Sequence, residues 1–202
     1  AAVIGAGNVM TDIACYLIRE MKVDTVNVVA RRGPLEVKFE KKEFERIAAN
    51  LALEDLDQQM EEVEPLMLLL GQDPASGRDL FYSCLPKAEP KVSDTRLHVR
   101  FLASPARFIS DGQGKLAGVE LVKNTLLKEE SGLKAIATGE SFILKADTVV
   151  LAIGNRVDEA FGLPAVRGEF ARNPEPKFPV EDLSYEAYDP QLGWPLEGIF
   201  LG

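Results

Sequence analysis

The stretch Val3–Ala14, VIGAGNVMTDIA, leads from an apolar strand through a glycine turn into a helix with one apolar face. The next apolar strand follows in Val26–Pro34, VNVVARRGP. A strand, turn, helix and strand in this order is the context in which a Gly-x-Gly turn cradles a dinucleotide pyrophosphate. Gly5 permits the tight turn and Gly7 lets the backbone come close to the phosphates. The amides near Asn8 and Val9 then point at them from a helix N-terminus, where the dipole favours negative charge. Position 10 usually holds a small residue that packs helix against strand, and here it is Met10.

In this fold the end of the second strand meets the adenosine ribose, and a site that prefers NAD places an acidic side chain there. This chain has Arg31 and Arg32 instead. Guanidinium forks suit a 2′-phosphate geometrically, so their placement points to NADP(H) over NAD(H).

The remaining segments extend an α/β pattern. Ala2 to Ile4, Thr25 to Ala30 and the alternating RLHVRFL (96–102) read as strands. Helices are expected over Asn8 to Met21, with Ile13, Ala14, Leu17, Ile18 and Met21 on the buried face, over Lys41 to Ala49, and in a long stretch reaching about Leu85. LPKAEPKVSDT (85–95) is a turn-rich connector, and residues 105–127 read as a hairpin turning at DGQG (111–114). A third strand is expected around Glu140 to Leu144, after EESG. ADTVVLAIGN (146–155) is a continuous apolar run of the kind a central parallel strand shows, closed by Gly154. From Asn155 to Trp194 the chain is Pro-rich and irregular.

Composition narrows the function classes. With 202 residues, 46% of them apolar and 27% charged, the chain buries a substantial core. A net charge of −9 argues against nucleic acid or an anionic membrane as the main partner, so any phosphate recognition is local. The two cysteines, Cys15 and Cys84, form no C-x-x-C pair and are expected to be buried, inert thiols in a reducing cytoplasm. The apolar run EPLMLLLGQ (64–72) is far too short to span a membrane. The chain begins in AAVIGAG and ends in EGIFLG, both apolar strands, so it is expected to be an excised piece with the EGIFLG strand lacking its native partners.

At this point a family resemblance emerges. GAGNVMTDIA, ARRGPLEVKFEKKEFERI, HVRFLASPARFI, GVELVKNTLL and ADTVVLAIGNRVD resemble successive landmarks of the NADPH-dependent ferredoxin and adrenodoxin reductases, flavoproteins with two dinucleotide domains. The resemblance runs over nearly the whole chain and is most specific in RRGP…KKEFERI. It implies that Gly5, Gly7, Asn8 and Val9 form the pyrophosphate loop and that Arg31 and Arg32 hold the 2′-phosphate. It also implies that Glu43 lies beside the adenosine ribose and that Gly154 closes the LAIG segment returning towards the FAD domain. The implied fold class is α/β, a Rossmann-like parallel sheet with a three-stranded antiparallel crossover over residues 103–146. Residues 1–154 would be the NADP-binding domain, and 155–202 an irregular return segment towards a missing FAD domain. The implied reaction of the whole protein is hydride transfer from NADPH to FAD, with electrons passed to a ferredoxin-like acceptor. FAD itself is expected to be held elsewhere, since the single glycine turn serves one dinucleotide. Met10, and Asn155 where the family often has an aromatic residue, depart from its pattern.

Other chemistries lack their residues. The single His98 lies in an alternating strand with no neighbouring cysteine or carboxylate in sequence, as expected of a structural histidine rather than a metal ligand. Asp12, placed in the first helical turn, complements the dipole. No tyrosine is followed four residues later by lysine, and no Ser-His-Asp arrangement has support beyond its residue types. Two alternatives share the architecture, a glutamate synthase small-subunit-like oxidoreductase and a nucleotide-sensing Rossmann module without enzymatic activity. RRGPLEVKF favours the ferredoxin-reductase side over the first.

Overall fold

The structure is a computed structural model and describes residues 1–130, 132–154, 157–166, 168–180 and 184–201. Asn155 lies outside the described residues. The chain divides into two compact units, Ala1–Ile153 and Gly154–Gly202.

In the first unit, strands β1 (Ala2–Ile4), β2 (Thr25–Val29), β3 (Arg96–Arg100) and β7 (Val149–Leu151) form a parallel sheet in the order β3-β2-β1-β7. The registers Ile4↔Val29 and Ile4↔Leu151 align the C-terminal ends of the central strands. Side chains alternate between the faces of this sheet. Val3, Val26, Val28, Leu97 and Val99 join a core built with α1 (Asn8–Arg19), α2 (Lys41–Glu45), α3 (Leu53–Leu69) and α4 (Pro74–Tyr82). Ile4 and Val29 instead pack with Ala103, Val119 and Leu121 of a second, antiparallel sheet. That sheet runs β4 (Ala103–Ser110), β5 (Leu116–Glu129) and β6 (Gly132–Lys145). One face of the parallel sheet therefore meets helices and the other meets the crossover.

The helices end where local chemistry stops them. α3 closes at Leu70, where Gly71 at φ +74° reverses the chain. Pro74 then occupies the first turn of α4, while the Asp73 carboxylate accepts from the amides of Ala75 and Ser76, both at 3.1 Å. α1 is shorter than periodicity suggests. It stops at Arg19, and Met21 is 56% exposed rather than buried. The segment expected as one helix over Lys41 to Ala49 is a single turn of α-helix followed by a 3-10 turn at Ala48–Asn50. There Phe44 is held by ring contacts to Phe39 and Phe81, and Phe81 in turn meets Phe101 edge to face. Packing of one aromatic cluster, more than helix length, holds this segment.

Three further expectations change. β6 begins at Gly132 and runs fourteen residues, because its whole length pairs with β5 and its outer positions need no apolar pattern. β7 is not central: among the described residues it is the outer strand of its sheet, with Leu151 55% and Ile153 69% exposed. A continuous apolar run identifies a strand but not its neighbours. Asp12 lies in the second turn of α1, so it meets no orphan amides and pairs instead with Arg46.

The second unit contains short antiparallel pairs, β8 (Ala165–Val166) with β9 (Glu169–Phe170), and β10 (Glu186–Asp189) with β11 (Trp194–Phe200). The EGIFLG strand, expected to lack its native partners, pairs within this chain with β10 through Glu186↔Phe200. Glu186 organises the preceding turn, accepting from Asn173 Nδ2 at 2.7 Å and the Lys177 amide at 2.9 Å. The Asn173 bond comes first among the causes that lower its carboxyl below the usual range.

Candidate functional site

The glycine turn leaves β1 under close constraint. Gly5 donates its amide to the Val29 carbonyl at 2.9 Å and adopts φ +132°, a region closed to ordinary side chains. A Cβ built there would overlap the carbonyl oxygen of Ala152, whose own amide donates to Ile4. Gly7 differs: it sits at φ −115° as the N-cap of α1, and a Cβ there would meet only the Lys38 carbonyl, at 4.0 Å. Its carbonyl accepts from the Met10 and Thr11 amides. The Asn8 amide faces the Lys38 carbonyl in the parallel bridge between Gly7 and Lys38, whereas among the described residues the Val9 amide finds no protein acceptor, and the Val9 side chain is 57% exposed. That Val9 N–H group is the open end of the helix. Met10, at the position where a small residue is usual, is buried in the helical core.

The chain that follows the arginines folds back over this turn. The Lys38 amide donates to the Ala6 carbonyl at 2.7 Å, and the Glu40 amide donates to Asn8 Oδ1 at 2.8 Å. The Asn8 Oδ1 and the Gly7–Lys38 bridge thus tie this returning segment to the start of α1, and Val9 carries the amide left open there.

Arg31 and Arg32 leave β2 at the same edge of the sheet. Gly5 and Ala30 each directly follow one of two paired neighbouring strands. Arg31 is exposed and Arg32 half-buried, and among the described residues neither guanidinium makes an ion pair. Their backbone is held instead: Asn124 Nδ2 donates to the Arg31 carbonyl at 2.9 Å and the Leu102 amide to the Arg32 carbonyl at 3.2 Å.

Glu43 accepts from Arg46 Nη1 at 3.0 Å, and the same nitrogen donates to Asp12 Oδ1 at 2.8 Å. Arg46 thus ties α2 to α1, and the bonds to Glu43 and Asp12 raise its pKa above the ordinary arginine value. Gly154, in the second unit, adopts φ +79°, with open space where a Cβ would stand. The structure brings together the Gly5–Val9 turn and the two arginines on one sheet edge, and ties Glu43 to α1. Sequence reasoning missed Arg46 and Asn124. An asparagine within the apolar alternation of VELVKNTLL was the available signal for the second. Nothing local marked the first.

His98 does have a carboxylate neighbour. Asp55 of α3 lies with Oδ2 3.0 Å from His98 Nδ1, and Arg100 Nη1 bridges both Asp55 oxygens at 2.8 and 2.7 Å. Burial opposes ionisation of Asp55, but the bonds from Arg100 and the close approach of the His98 imidazole outweigh it and hold the carboxyl below its ordinary value. No group of three metal-ligating side chains occurs among the described residues. A cavity of about 580 Å³ between α3 and the crossover sheet, lined by Gln59, Arg100, Lys123 and Phe142 among others, lies apart from the glycine turn.

A parallel sheet ordered 3-2-1 and onward, with a Gly-x-Gly turn opening the first helix, defines a dinucleotide-binding α/β fold of Rossmann type. The chain is similar to NADPH-ferredoxin reductase FprA of Mycobacterium tuberculosis, at 29% identity over 192 residues, covering 81% of this chain and 40% of that protein. It is also similar to the mitochondrial NADPH:adrenodoxin oxidoreductase of Arabidopsis thaliana, at 25% identity over 196 residues with the same coverage. The solved structure of Mycobacterium tuberculosis FprA in complex with NADPH shares the fold, with a TM-score of 0.60 and 24% identity over 85% of this chain and 42% of that one. No family model matches the chain. The chain is thus similar to NADPH-ferredoxin and NADPH:adrenodoxin reductases and spans about 40% of the length of these proteins.

Proposed function

We propose that residues 1–154 form an NADP(H)-binding domain. The observation that carries this reading is the meeting, on one edge of the parallel sheet, of the α1 N-terminus, with its unpartnered Val9 amide, and two guanidiniums that find no carboxylate partner among the described residues. The helix N-terminus suits a pyrophosphate and the guanidiniums a 2′-phosphate. In this reading Gly5 and Gly7 shape the approach, Glu43 lies beside the adenosine ribose, and Gly154 leads residues 155–202 towards an FAD-binding domain.

The relatives support the wider role. In the whole protein NADPH supplies hydride to FAD, whose electrons pass to a ferredoxin-like acceptor; the cofactors carry this chemistry. This chain's residues bind and orient the nucleotide. Arg46 keeps Glu43 in place, and the segment Lys38–Glu40 stiffens the phosphate turn. We place the protein in the cytoplasm; among the described residues no helix is long and apolar enough to cross a membrane.

Calorimetric titration with NADPH, 2′-phospho-AMP and NADH tests the reading. The first two should bind well and NADH poorly. An Arg31→Ala, Arg32→Ala double variant should lose NADPH affinity by about two to four powers of ten, at roughly 1.5–3 kcal/mol for each charge-assisted bond. Equal losses for NADPH and NADH would mean that the arginines serve the fold alone.

A further inference from the structure

The ladder of β2 ends at Val29, just before the residues proposed to read the 2′-phosphate. Ala30 is still held on both sides: its amide donates to the Arg100 carbonyl of β3 at 2.8 Å, and its carbonyl accepts from Ala103, the first residue of β4, at 3.1 Å. Beyond it, among the described residues, no neighbouring strand of the parallel sheet receives the carbonyls of Arg31 and Arg32. They are received by the crossover sheet and the residue that leads into it.

Asn124 is the centre of that arrangement. It is 7% exposed, on β5, where the register with β6 shifts between Val122 and Asn124. Both Nδ2 protons are used, one on the Arg31 carbonyl at 2.9 Å and one on Ser104 Oγ at 2.8 Å. Its backbone amide donates to the Leu102 carbonyl at 2.7 Å, and the Leu102 amide donates to the Arg32 carbonyl. Leu102 stands at φ +53°, a conformation that non-glycine residues avoid unless the surroundings impose it. A single buried asparagine thus secures one arginine directly and the other through a strained residue.

We infer that Asn124 is a positioning residue for NADP selectivity, holding from the crossover sheet the backbone from which Arg31 and Arg32 reach the 2′-phosphate. The inference rests on the assignment of those arginines under the proposed function. Arginine side chains are long and flexible, so the fold can preorganise them chiefly through the backbone that carries them. If that backbone drifts, the forks lose their shared geometry on one anion while the pyrophosphate turn, on another strand, is untouched.

The test compares NADPH and NADH affinities of the unmodified chain with those of Asn124→Ala, Asn124→Leu and Ser104→Ala. Both Asn124 variants should weaken NADPH by about 3- to 10-fold, as expected for one hydrogen bond, and leave NADH within about 2-fold. Ser104→Ala breaks the other branch and should keep the nucleotide ratio. If the unmodified chain binds both nucleotides equally, the 2′-phosphate assignment itself fails. If it discriminates and the Asn124 variants discriminate as well, or lose both nucleotides equally, the positioning role fails. Should neither Asn124 variant fold, amide exchange in the unmodified chain decides. Saturating 2′-phospho-AMP should slow exchange at Leu102 and Asn124 more than 5′-AMP does, and equal rates would overturn the inference.

Discussion

The carbonyl oxygen of Ala152 occupies the space that any side chain on Gly5 would need, while the Ala152 amide closes the end of β1 through the Ile4 carbonyl. Gly5 therefore meets a steric limit and a conformational one together. Gly7, two residues on, meets neither. The two glycines of one motif have different reasons to be glycine.

That difference is measurable. Gly5→Ala should destabilise the chain by more than about 2 kcal/mol, combining backbone strain with overlap in a packed strand end. Gly7→Ala should change stability by less than about 1 kcal/mol but weaken NADPH, since the methyl group would stand where a pyrophosphate approaches. Thermal unfolding and nucleotide titration on both variants separate the effects; a Gly7 variant with unchanged affinity would remove the pyrophosphate from this turn.

Salt should act on one nucleotide more than the other. Arg31 is exposed and Arg32 half-buried, so their attraction for a 2′-phosphate is screened within a Debye length of about 8 Å at physiological ionic strength. The ratio of NADPH to NADH affinity should shrink as sodium chloride rises from low to high concentration. A constant ratio would assign the preference to something other than these charges.

Asp55 links acid stability to the fold. Its carboxyl is held below 3.8 by Arg100 and His98 against the opposing effect of burial. A carboxyl with a lowered folded value contributes its stability fully above the unfolded value and loses it as pH falls through the folded one. Asp55→Asn should therefore cost about 1–2 kcal/mol at pH 7, discounted for partial exposure, and the gap to the unmodified chain should close below about pH 4. Denaturant titrations across that range check the sign: a gap that widens in acid would refute it.

The chain should be colourless when purified and should reduce neither dyes nor ferredoxin with NADPH. One glycine turn serves one dinucleotide, and here that turn is assigned to NADP(H). Flavin absorbance that copurifies, with diaphorase activity, would contradict this division of labour.

Cys84 is fully buried, and burial, with Glu45 adding to it, raises its thiol above the ordinary range; Cys15 is also buried. A thiol reagent should label neither cysteine in the native chain and both after unfolding. Rapid native labelling of Cys84 would show that the aromatic cluster around Phe44 and Phe81 opens readily.

What the sequence determined by itself was local. Glycine spacing, apolar periodicity and turn residues marked β1, α1, β2 and the hairpin at DGQG, because strand-to-helix turns and hairpins are set by neighbours in the chain. The adjacency of the glycine turn and Arg31–Arg32 followed from the pairing of consecutive parallel strands. Tertiary structure decided the rest. The outer position of β7, the full length of β6 and the exposure of Met21 depend on which surfaces meet, and a periodic pattern does not name its partner. So do the contacts of Asp55 with His98, Arg46 with Asp12, and above all Asn124 with Arg31, separated by 93 positions in the chain. Each of these polar groups is paired because packing of the core brings distant segments together and makes an unpaired buried donor costly.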